Sequence, residues 1–205
     1  MVDRGAADTA PPEAPAFVDG ALDTALAIAV GRLDQVDGDG LDGSVDAVLE
    51  ALGSALGADR AYAFSYDFAA GLCHNTHEWC AAAVEPQIAI LQAFPLHLVP
   101  EWVARHRAGD AMEVVDVFAL PPDSGVRHTL EPQGIKSLTS VPMMDGPTCI
   151  GFVGLDAVRR HRVFGAREGA ALTTVANALV RAYARLGRVP TPERVEASDA
   201  HDAVR

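Results

Sequence analysis

The clearest pattern in the chain is a pair of short apolar runs on either side of Asp145-Gly146-Pro147. Side chains alternate with a period of two from Lys136 to Met143 and again from Thr148 to Val158, which predicts two strands with two different faces each. Asp-Gly between two such runs is a strong hairpin signal because glycine accepts a positive φ. We therefore expect an antiparallel hairpin, with Pro147 ending a connection slightly longer than a two-residue turn.

Helical spacing, with apolar residues every three or four positions, predicts three longer helices. The first covers Ala21–Leu33 and is followed by an acidic, glycine-rich linker over Asp34–Asp42. The second covers Leu41–Leu56, and Gly57 follows it as a natural C-terminal stop. The third covers Gly165–Leu186 and closes the periodic part of the chain.

Between the second helix and the hairpin, the pattern switches repeatedly between a period of two and helical spacing. Turn signals such as Ala70-Gly71 separate these short segments. The predicted strands are Arg60–Asp67, Leu72–Cys80 and Met112–Val117, and the predicted helices are Glu85–Ala93, Pro100–Ala108 and Val126–Gln133.

This order of elements predicts an α+β fold built on a central antiparallel sheet. The long N- and C-terminal helices would cover one face, and short helices and loops would cover the other, with a small-molecule pocket beneath them. Residues 20–187 form a single predicted domain. Residues 1–19 are predicted to be a disordered lead and residues 188–205 a disordered tail, because neither end shows periodicity.

Composition narrows the class of protein. The 205 residues are 49% hydrophobic, enough for a sizeable core, and the net charge is -12. So acidic a chain is a poor match for nucleic acid, which needs clustered Lys and Arg. The sequence shows neither a secretory signal nor a run of about 20 apolar residues that could span a membrane. Three cysteines, an odd and sparse set, fit a reducing compartment, so we expect a cytoplasmic location.

Five short motifs follow one another along the chain. They are His77-Glu78-Trp79-Cys80, Val84-Glu85-Pro86-Gln87-Ile88, Gly134-Ile135-Lys136-Ser137-Leu138, Val141-Pro142-Met143 and Gly151-Phe152-Val153-Gly154-Leu155-Asp156. Together they resemble the GAF domain family, over about residues 22 to 186 and in the family's order of elements. The set looks closest to bacterial sensory GAF domains found next to diguanylate cyclase, histidine kinase and PAS modules.

The resemblance implies a GAF-like fold and a sensory function without catalysis. Pockets in this family hold cyclic nucleotides, haem, bilins, small metabolites or nothing, so the ligand and any cofactor stay open. The first and last helices of GAF sensors usually pack against their counterparts, which implies a homodimer formed through the terminal helices. The output would belong to a signalling partner, because the sequence shows no recognisable kinase, cyclase or DNA-binding segment.

Three specialised chemistries of the family fit the sequence poorly. Free methionine sulfoxide reductases need a catalytic cysteine set that Cys73, Cys80 and Cys149 do not reproduce. Cys73-His74 matches the dipeptide at which bilin-binding members attach their chromophore, but it lies in the first hairpin instead of the later helical region. The Asn-Lys-X-Asp-Glu type of signature carried by cyclic-nucleotide members is absent.

Two cysteines and two histidines between Cys73 and Cys80 raise the alternative of a metal site. On a strand, residues four apart on one face are separated by about 13 Å, whereas ligands of one Zn²⁺ lie about 2 Å from the ion. We therefore expect no metal in this segment.

Eight residues are candidates for binding a small ligand. Aromatic rings can wall a planar ligand, hydroxyls can orient it, and a carboxylate in an apolar strand needs a partner. Each also has a plain structural interpretation, as sheet core, as hydroxyls bonded to backbone, or as a carboxylate paired with a nearby arginine such as Arg159 or Arg160. The candidates are Phe64, Tyr66, His77, Trp79, Trp102, Ser137, Thr139 and Asp156.

Three functional hypotheses follow. The first is a sensory and regulatory domain that binds a small molecule and signals through its terminal helices in a homodimer. The second is a ligand-free dimerisation and interaction module whose sheet face is fully packed. The third, which the cysteine spacing disfavours, is a redox enzyme of the free methionine sulfoxide reductase kind.

Overall fold

The structure of the protein, a computed structural model, describes residues 19–190. The predicted lead over residues 1–19 and the predicted tail over residues 188–205 lie almost entirely outside the described residues. The helices are α1 (Asp19–Gln35), α2 (Leu41–Leu56), α3 (Pro100–Arg107), α4 (Gly125–Leu130) and α5 (Ala166–Leu186). The strands are β1 (Arg60–Asp67), β2 (Leu72–Cys80), β3 (Phe94–Pro95), β4 (Met112–Val114), β5 (Ser137–Asp145) and β6 (Thr148–Ala157).

The six strands form one antiparallel sheet in the order β3-β2-β1-β6-β5-β4, with the predicted β5–β6 hairpin near its centre. Asp145 pairs with Thr148, so the turn consists of Gly146 and Pro147 alone and is tighter than expected. Gly146 has a φ of +57°, which a residue with a Cβ adopts only at a cost. The hairpin is therefore confirmed, and a glycine at the first turn position makes it possible.

The three long helices cover one face of the sheet and bury an aliphatic core. α2 lies over β1 and β2, α5 lies over β5 and β6, and α1 packs on both helices. Small side chains at Ala61 and Ala63 on β1 let α2 approach closely, and Leu155 on β6 is fully buried in the same core. None of the helices within residues 19–190 combines the length and apolar character needed to cross a membrane.

The opposite face is covered by α3, α4 and loops, and its buried cluster is more aromatic. β1 contributes Tyr62 and Phe64 to this cluster while its alternate residues, Ala61 and Ala63, face the helices. The two-faced α+β architecture predicted from the sequence is therefore confirmed.

One predicted helix, over Glu85–Ala93, does not form. The backbone N–H of Asn75 on β2 donates to Leu91 O at 2.9 Å, and Gln92 Nε2 donates to Asn75 O at 2.7 Å. These bonds hold the segment against the edge of β2 as an irregular loop, and Gln92 Nε2 also donates at 2.6 Å to Ile88 O, the carbonyl that a helix would pair with the N–H of residue 92. The loop continues into β3, a two-residue strand that no local pattern indicated, and β4 ends at Val114, earlier than predicted.

Candidate functional site

A cavity lies between the loop-covered face of the sheet and the segments above it, which are α3, α4 and the loop of residues 87–99. The volume of this cavity is about 60 Å³. That is room for a few waters or for one small ring. Leu91, Phe94, Thr129 and Gln133 line both this cavity and a groove on the outer surface, so they separate the cavity from solvent.

Aromatic rings form the floor of the cavity. Phe64 and Phe152, opposite each other on β1 and β6, stack with centroids 4.6 Å apart and 10° between their planes. Tyr62 meets Phe64 edge-on at 5.6 Å, and Trp102 on α3 lies 5.8 Å from Phe152. These are favourable aromatic geometries, so the floor is preorganised to receive an apolar or planar group.

Asp156 on β6 stands at the polar end of this floor and is only 3% exposed. Tyr62 O–H donates to its Oδ1 at 2.8 Å, and Arg60 Nη1 lies 3.6 Å from its Oδ2. Burial raises the pKa of Asp156 to about 7, although the bond from Tyr62 and the charge of Arg60 act in the opposite direction. The carboxyl is thus poised near neutral pH, where a charged group placed beside it changes its ionisation.

Glycine at position 154 makes the Tyr62–Asp156 bond possible. The Tyr62 ring lies across β6 at this residue, and a Cβ there would come within 2.4 Å of the ring. The phenol therefore reaches past Gly154 to Asp156, two residues further along the same strand face.

Arg60 connects Asp156 to the segments that close the cavity. Its side chain is buried, its Nε donates to Glu85 O at 3.0 Å and its Nη2 donates to Gln133 O at 3.3 Å. Its Nη1 has no hydrogen-bond partner within residues 19–190. An arginine partner for Asp156 was expected from the sequence, but it comes from the neighbouring strand and not from the adjacent Arg159.

A second carboxylate, Glu78 on β2, also lines the cavity. Its Oε2 accepts the backbone N–H groups of Gln87 at 2.6 Å and Ile88 at 2.9 Å. These charge-assisted bonds fasten the loop above the cavity to the sheet. The other carboxylate oxygen, Oε1, makes no hydrogen bond in the described part of the chain.

His106 on α3 lies beside the floor, with its ring centroid 5.0 Å from that of Phe152. Its Nδ1 is 2.8 Å from Tyr66 Oη and its Nε2 is 3.1 Å from Ser140 Oγ. Burial lowers the pKa of His106 to about 3, so the ring is neutral and uses one nitrogen as donor and the other as acceptor. This fully satisfied group holds α3 against the sheet.

Four of the eight predicted ligand-binding residues line the cavity: Phe64, Tyr66, Trp102 and Asp156. The alternation of β1 and β6 and the packing of α3 bring them together. Trp102 Nε1 is buried and has no hydrogen-bond partner within residues 19–190, so it leaves one neutral donor in the cavity wall.

His77 and Trp79 face the helices instead. The register of β2 against β1 shifts at Thr76, and such a bulge reverses the alternation of side chains beyond it. Trp79 consequently packs against Gly53 of α2, and His77 Nε2 lies 3.6 Å from Asp42 Oδ1 on the same helix. The expectation that these two residues share the pocket is therefore not met by the geometry.

Ser137 and Thr139 also lie on the helix-covered face. They share their face of β5 with Val141, which is part of the aliphatic core, and Ser137 O–H donates to Arg162 O. The hydroxyl that faces the other way on this strand is that of Ser140. The side chains of both predicted residues therefore point away from the cavity.

Four residues of the site were not among the predicted candidates: Arg60, Tyr62, Glu78 and Phe152. The period of two already contained Tyr62, which shares a strand face with the predicted aromatic residues of β1, and Phe152, which shares one with the predicted acid of β6. Arg60 lies on the same face of β1 by the same alternation, but its pairing with Asp156 and the position of Glu78 beyond the bulge of β2 follow only from the pairing of β1 with its neighbours, which no local pattern encodes.

The chain matches the GAF domain family over residues 40–183. It therefore belongs to the GAF domain family. Among curated proteins it is similar to the methanogenesis regulatory histidine kinase FilI of Methanothrix harundinacea, with 34% identity over 146 residues. That alignment covers 67% of this chain but 16% of the kinase, so the chain spans about one sixth of the relative's length.

Solved structures with the same fold include two bilin-bound proteins. One is the phycocyanobilin-bound GAF domain of a cyanobacterial phytochrome, with 19% identity, a TM-score of 0.68, and coverage of 80% of this chain and 94% of that one. The other was solved in its far-red absorbing dark state with biliverdin, with 15% identity, a TM-score of 0.68, and coverage of 80% and 99%. At these identities the likeness concerns the fold alone.

Proposed function

We propose that this GAF domain is a sensory and regulatory domain that binds a small molecule in the cavity. The observation that carries the proposal is the buried Asp156 at the end of an aromatic floor, tied through Arg60 to Glu85, just before the covering loop, and to Gln133, just after α4. A ligand that contacts Asp156 competes with Arg60 for the carboxylate and so acts on the covering segments. The similarity to a regulatory histidine kinase supports a sensory role.

The signal would leave through the terminal helices of a homodimer. α5 packs on β5 and on β6, the strand that carries Asp156. At the far end of α5, Arg185 donates to Leu33 O at 2.9 Å and to Val36 O at 2.8 Å, so α1 and α5 are joined where α1 ends. Ile28 on α1 is 55% exposed and offers apolar surface to a second copy. A ligand switches this unit only if it binds two helix arrangements with different affinity.

The proposed ligand is smaller than the bilins of the similar structures. A cavity of about 60 Å³ is well below the roughly 300–1,000 Å³ of pockets that bury drug-sized ligands. Cys73 faces the cavity, but burial raises the pKa of its thiol to about 12, which keeps it from reacting as a thiolate. A chromophore attached at Cys73 is therefore not part of the proposal.

We propose binding without catalysis. Burial raises the pKa of Cys80 and of Cys149 to about 11, so neither provides the thiolate that a reductase of the methionine sulfoxide type needs. All three cysteines are free thiols, which fits our proposal of a cytoplasmic location.

The test is a thermal-shift screen of small metabolites on the wild type and on Leu91→Trp. Leu91 is half-buried between the cavity and the outer groove, so an indole there fills the opening. We expect stabilisation that grows with ligand concentration in the wild type and disappears in Leu91→Trp. The matched control is Ile90→Trp, whose position is 73% exposed and lines only the outer groove. Stabilisation of all three proteins would mean that the ligand binds outside this cavity, and stabilisation of none would favour the ligand-free interaction module.

A further inference from the structure

We infer that the cavity selects a small ligand with one ring and a positively charged, hydrogen-bond-donating group, such as a ring-bearing primary amine, and rejects carboxylates and phosphates. This inference rests on the proposed function, because it names the chemical class of the ligand for the same site.

The charged side chains that line the cavity are acidic. Among the described residues that line it, Asp156 and Glu78 are charged, and no Lys, Arg or His is present. Arg60 lies behind Asp156 and directs two of its donor nitrogens to backbone carbonyls. The cavity lining therefore carries two carboxylates, and the nearest guanidinium, that of Arg60, is already paired with Asp156. An anion entering the cavity would lose its water and meet no cation among the described lining residues.

The carboxylates of Asp156 and Glu78 have oxygens that can accept hydrogen bonds from a ligand. Asp156 Oδ2 lies 3.6 Å from Arg60 Nη1, an ion pair longer than a hydrogen bond, and the two hydrogen bonds that Glu78 accepts in the described chain both use Oε2. An ammonium group supplies several N–H donors for carboxylate oxygens, of which this lining has two pairs. Trp102 Nε1 is the complementary buried donor in the wall, but it is neutral and does not balance the negative charge.

The aromatic floor and the size of the cavity favour a ligand with one ring. A ring attached to the ammonium would lie against Phe64 and Phe152, and the faces of the surrounding aromatic residues attract a cation. The volume of about 60 Å³ limits the ligand to about one ring with a short substituent. A nucleotide or a tetrapyrrole exceeds that space.

The experiment is isothermal titration calorimetry of the purified domain at pH 8 with three probes of one size: benzylamine, benzyl alcohol and benzoate. We expect benzylamine to bind at least ten-fold more tightly than benzyl alcohol, and benzoate not to bind. Asp156→Asn should weaken benzylamine at least ten-fold and leave benzyl alcohol within about two-fold. The matched control is Glu113→Gln, an exposed carboxylate on β4, which should leave all three affinities unchanged.

If Asp156→Asn does not fold, Glu78→Gln serves as the second variant, with the same expected direction for benzylamine. Benzoate binding as tightly as benzylamine would overturn the inferred class and leave the proposed function standing, since the cavity would still bind a ligand. Failure of all three probes would also overturn the inference. Metabolites that stabilise the wild type but not Leu91→Trp would in that case still support the proposed function.

Discussion

Leu155 and Asp156 are neighbours on β6, yet they belong to two different cores. Leu155 is fully buried on the helix-covered face among aliphatic and small side chains. Asp156 faces the loops and shares its surroundings with aromatic rings, a buried arginine and a cavity. Successive side chains of a strand point to opposite faces, so one strand serves both environments.

The two faces of this sheet therefore differ in what their side chains contribute. The helix-covered face is built for stability, since burial of aliphatic area against helices is favourable and needs no polar partners. The loop-covered face contains groups that are costly to bury, such as Asp156, which is held by a hydrogen bond from Tyr62 and an ion pair with Arg60. A face arranged only for stability would not keep such a carboxyl. Four substitutions test whether the two faces differ in this way.

The largest effect is expected on the helix-covered face. Leu155→Ala removes a fully buried side chain and leaves a cavity, which should lower the free energy of unfolding by about 2–5 kcal/mol in urea denaturation. Ligand affinity measured well below the melting temperature should not change, because Leu155 does not line the cavity. A large loss of affinity in a folded Leu155→Ala protein would mean that the two faces are not separable.

The next effect is a pH dependence on the loop-covered face. The pKa of Asp156 is raised to about 7 by burial, while the unfolded chain has the ordinary value of 3.8. As pH rises from about 4 to 7, the unfolded chain releases this proton and the folded chain keeps it, so stability is lost over that window. Asp156→Asn should lack this loss, which amounts to roughly 2–4 kcal/mol.

The check is the difference in unfolding free energy between wild type and Asp156→Asn, measured from pH 4 to pH 8. The charged and titratable groups beside Asp156 are Arg60 and Tyr62 on β1 and Glu78 and Cys80 on β2. A difference that is constant over the range would contradict the account.

A smaller effect is expected from Tyr62→Phe. The change removes the donor to Asp156 Oδ1 and should cost about 1–3 kcal/mol at pH 8, where the carboxyl is ionised, and less at pH 5. Tyr183→Phe, a buried phenol on the helix-covered face, is the matched control and should show no such change between pH 5 and pH 8. Equal pH behaviour of the two variants would show that Tyr62 does not support the carboxylate.

The smallest effect concerns the link between the terminal helices. Arg185→Ala removes two hydrogen bonds to the carbonyls at the end of α1 and should cost about 1 kcal/mol or less. Amide hydrogen exchange in α1 should speed up. Arg181→Ala is the control, because its 3.5 Å contact with Asp34 is an exposed ion pair of little energetic value. Unchanged hydrogen exchange in α1 of Arg185→Ala would show that Arg185 does not couple α5 to α1.

The sequence pattern predicted the fold closely wherever the local signal and the tertiary packing agree. α2 was predicted at its observed bounds because apolar spacing and a glycine stop at Gly57 coincide. The Glu85–Ala93 loop was predicted as a helix because its bonds to Asn75 and Glu78 come from a neighbouring strand. Local composition does not contain that information.

Four of the eight predicted site residues line the cavity, and the other four do not, for the same reason. Phe64, Tyr66 and Asp156 follow from alternation along single strands. His77 was assigned to the pocket because a single extra residue, Thr76, reverses the faces of β2, and a bulge of this kind leaves no reliable trace in the sequence.

The measurement that tests the account most directly is native mass spectrometry of the purified domain, set beside the same sample after denaturation and beside Leu91→Trp. We expect a dimer whose subunits carry a small mass excess that denaturation removes and that Leu91→Trp lacks. A wild-type dimer without any excess mass, which no compound of the metabolite screen stabilises, would contradict this expectation and make the loop-covered face a packing surface like its counterpart.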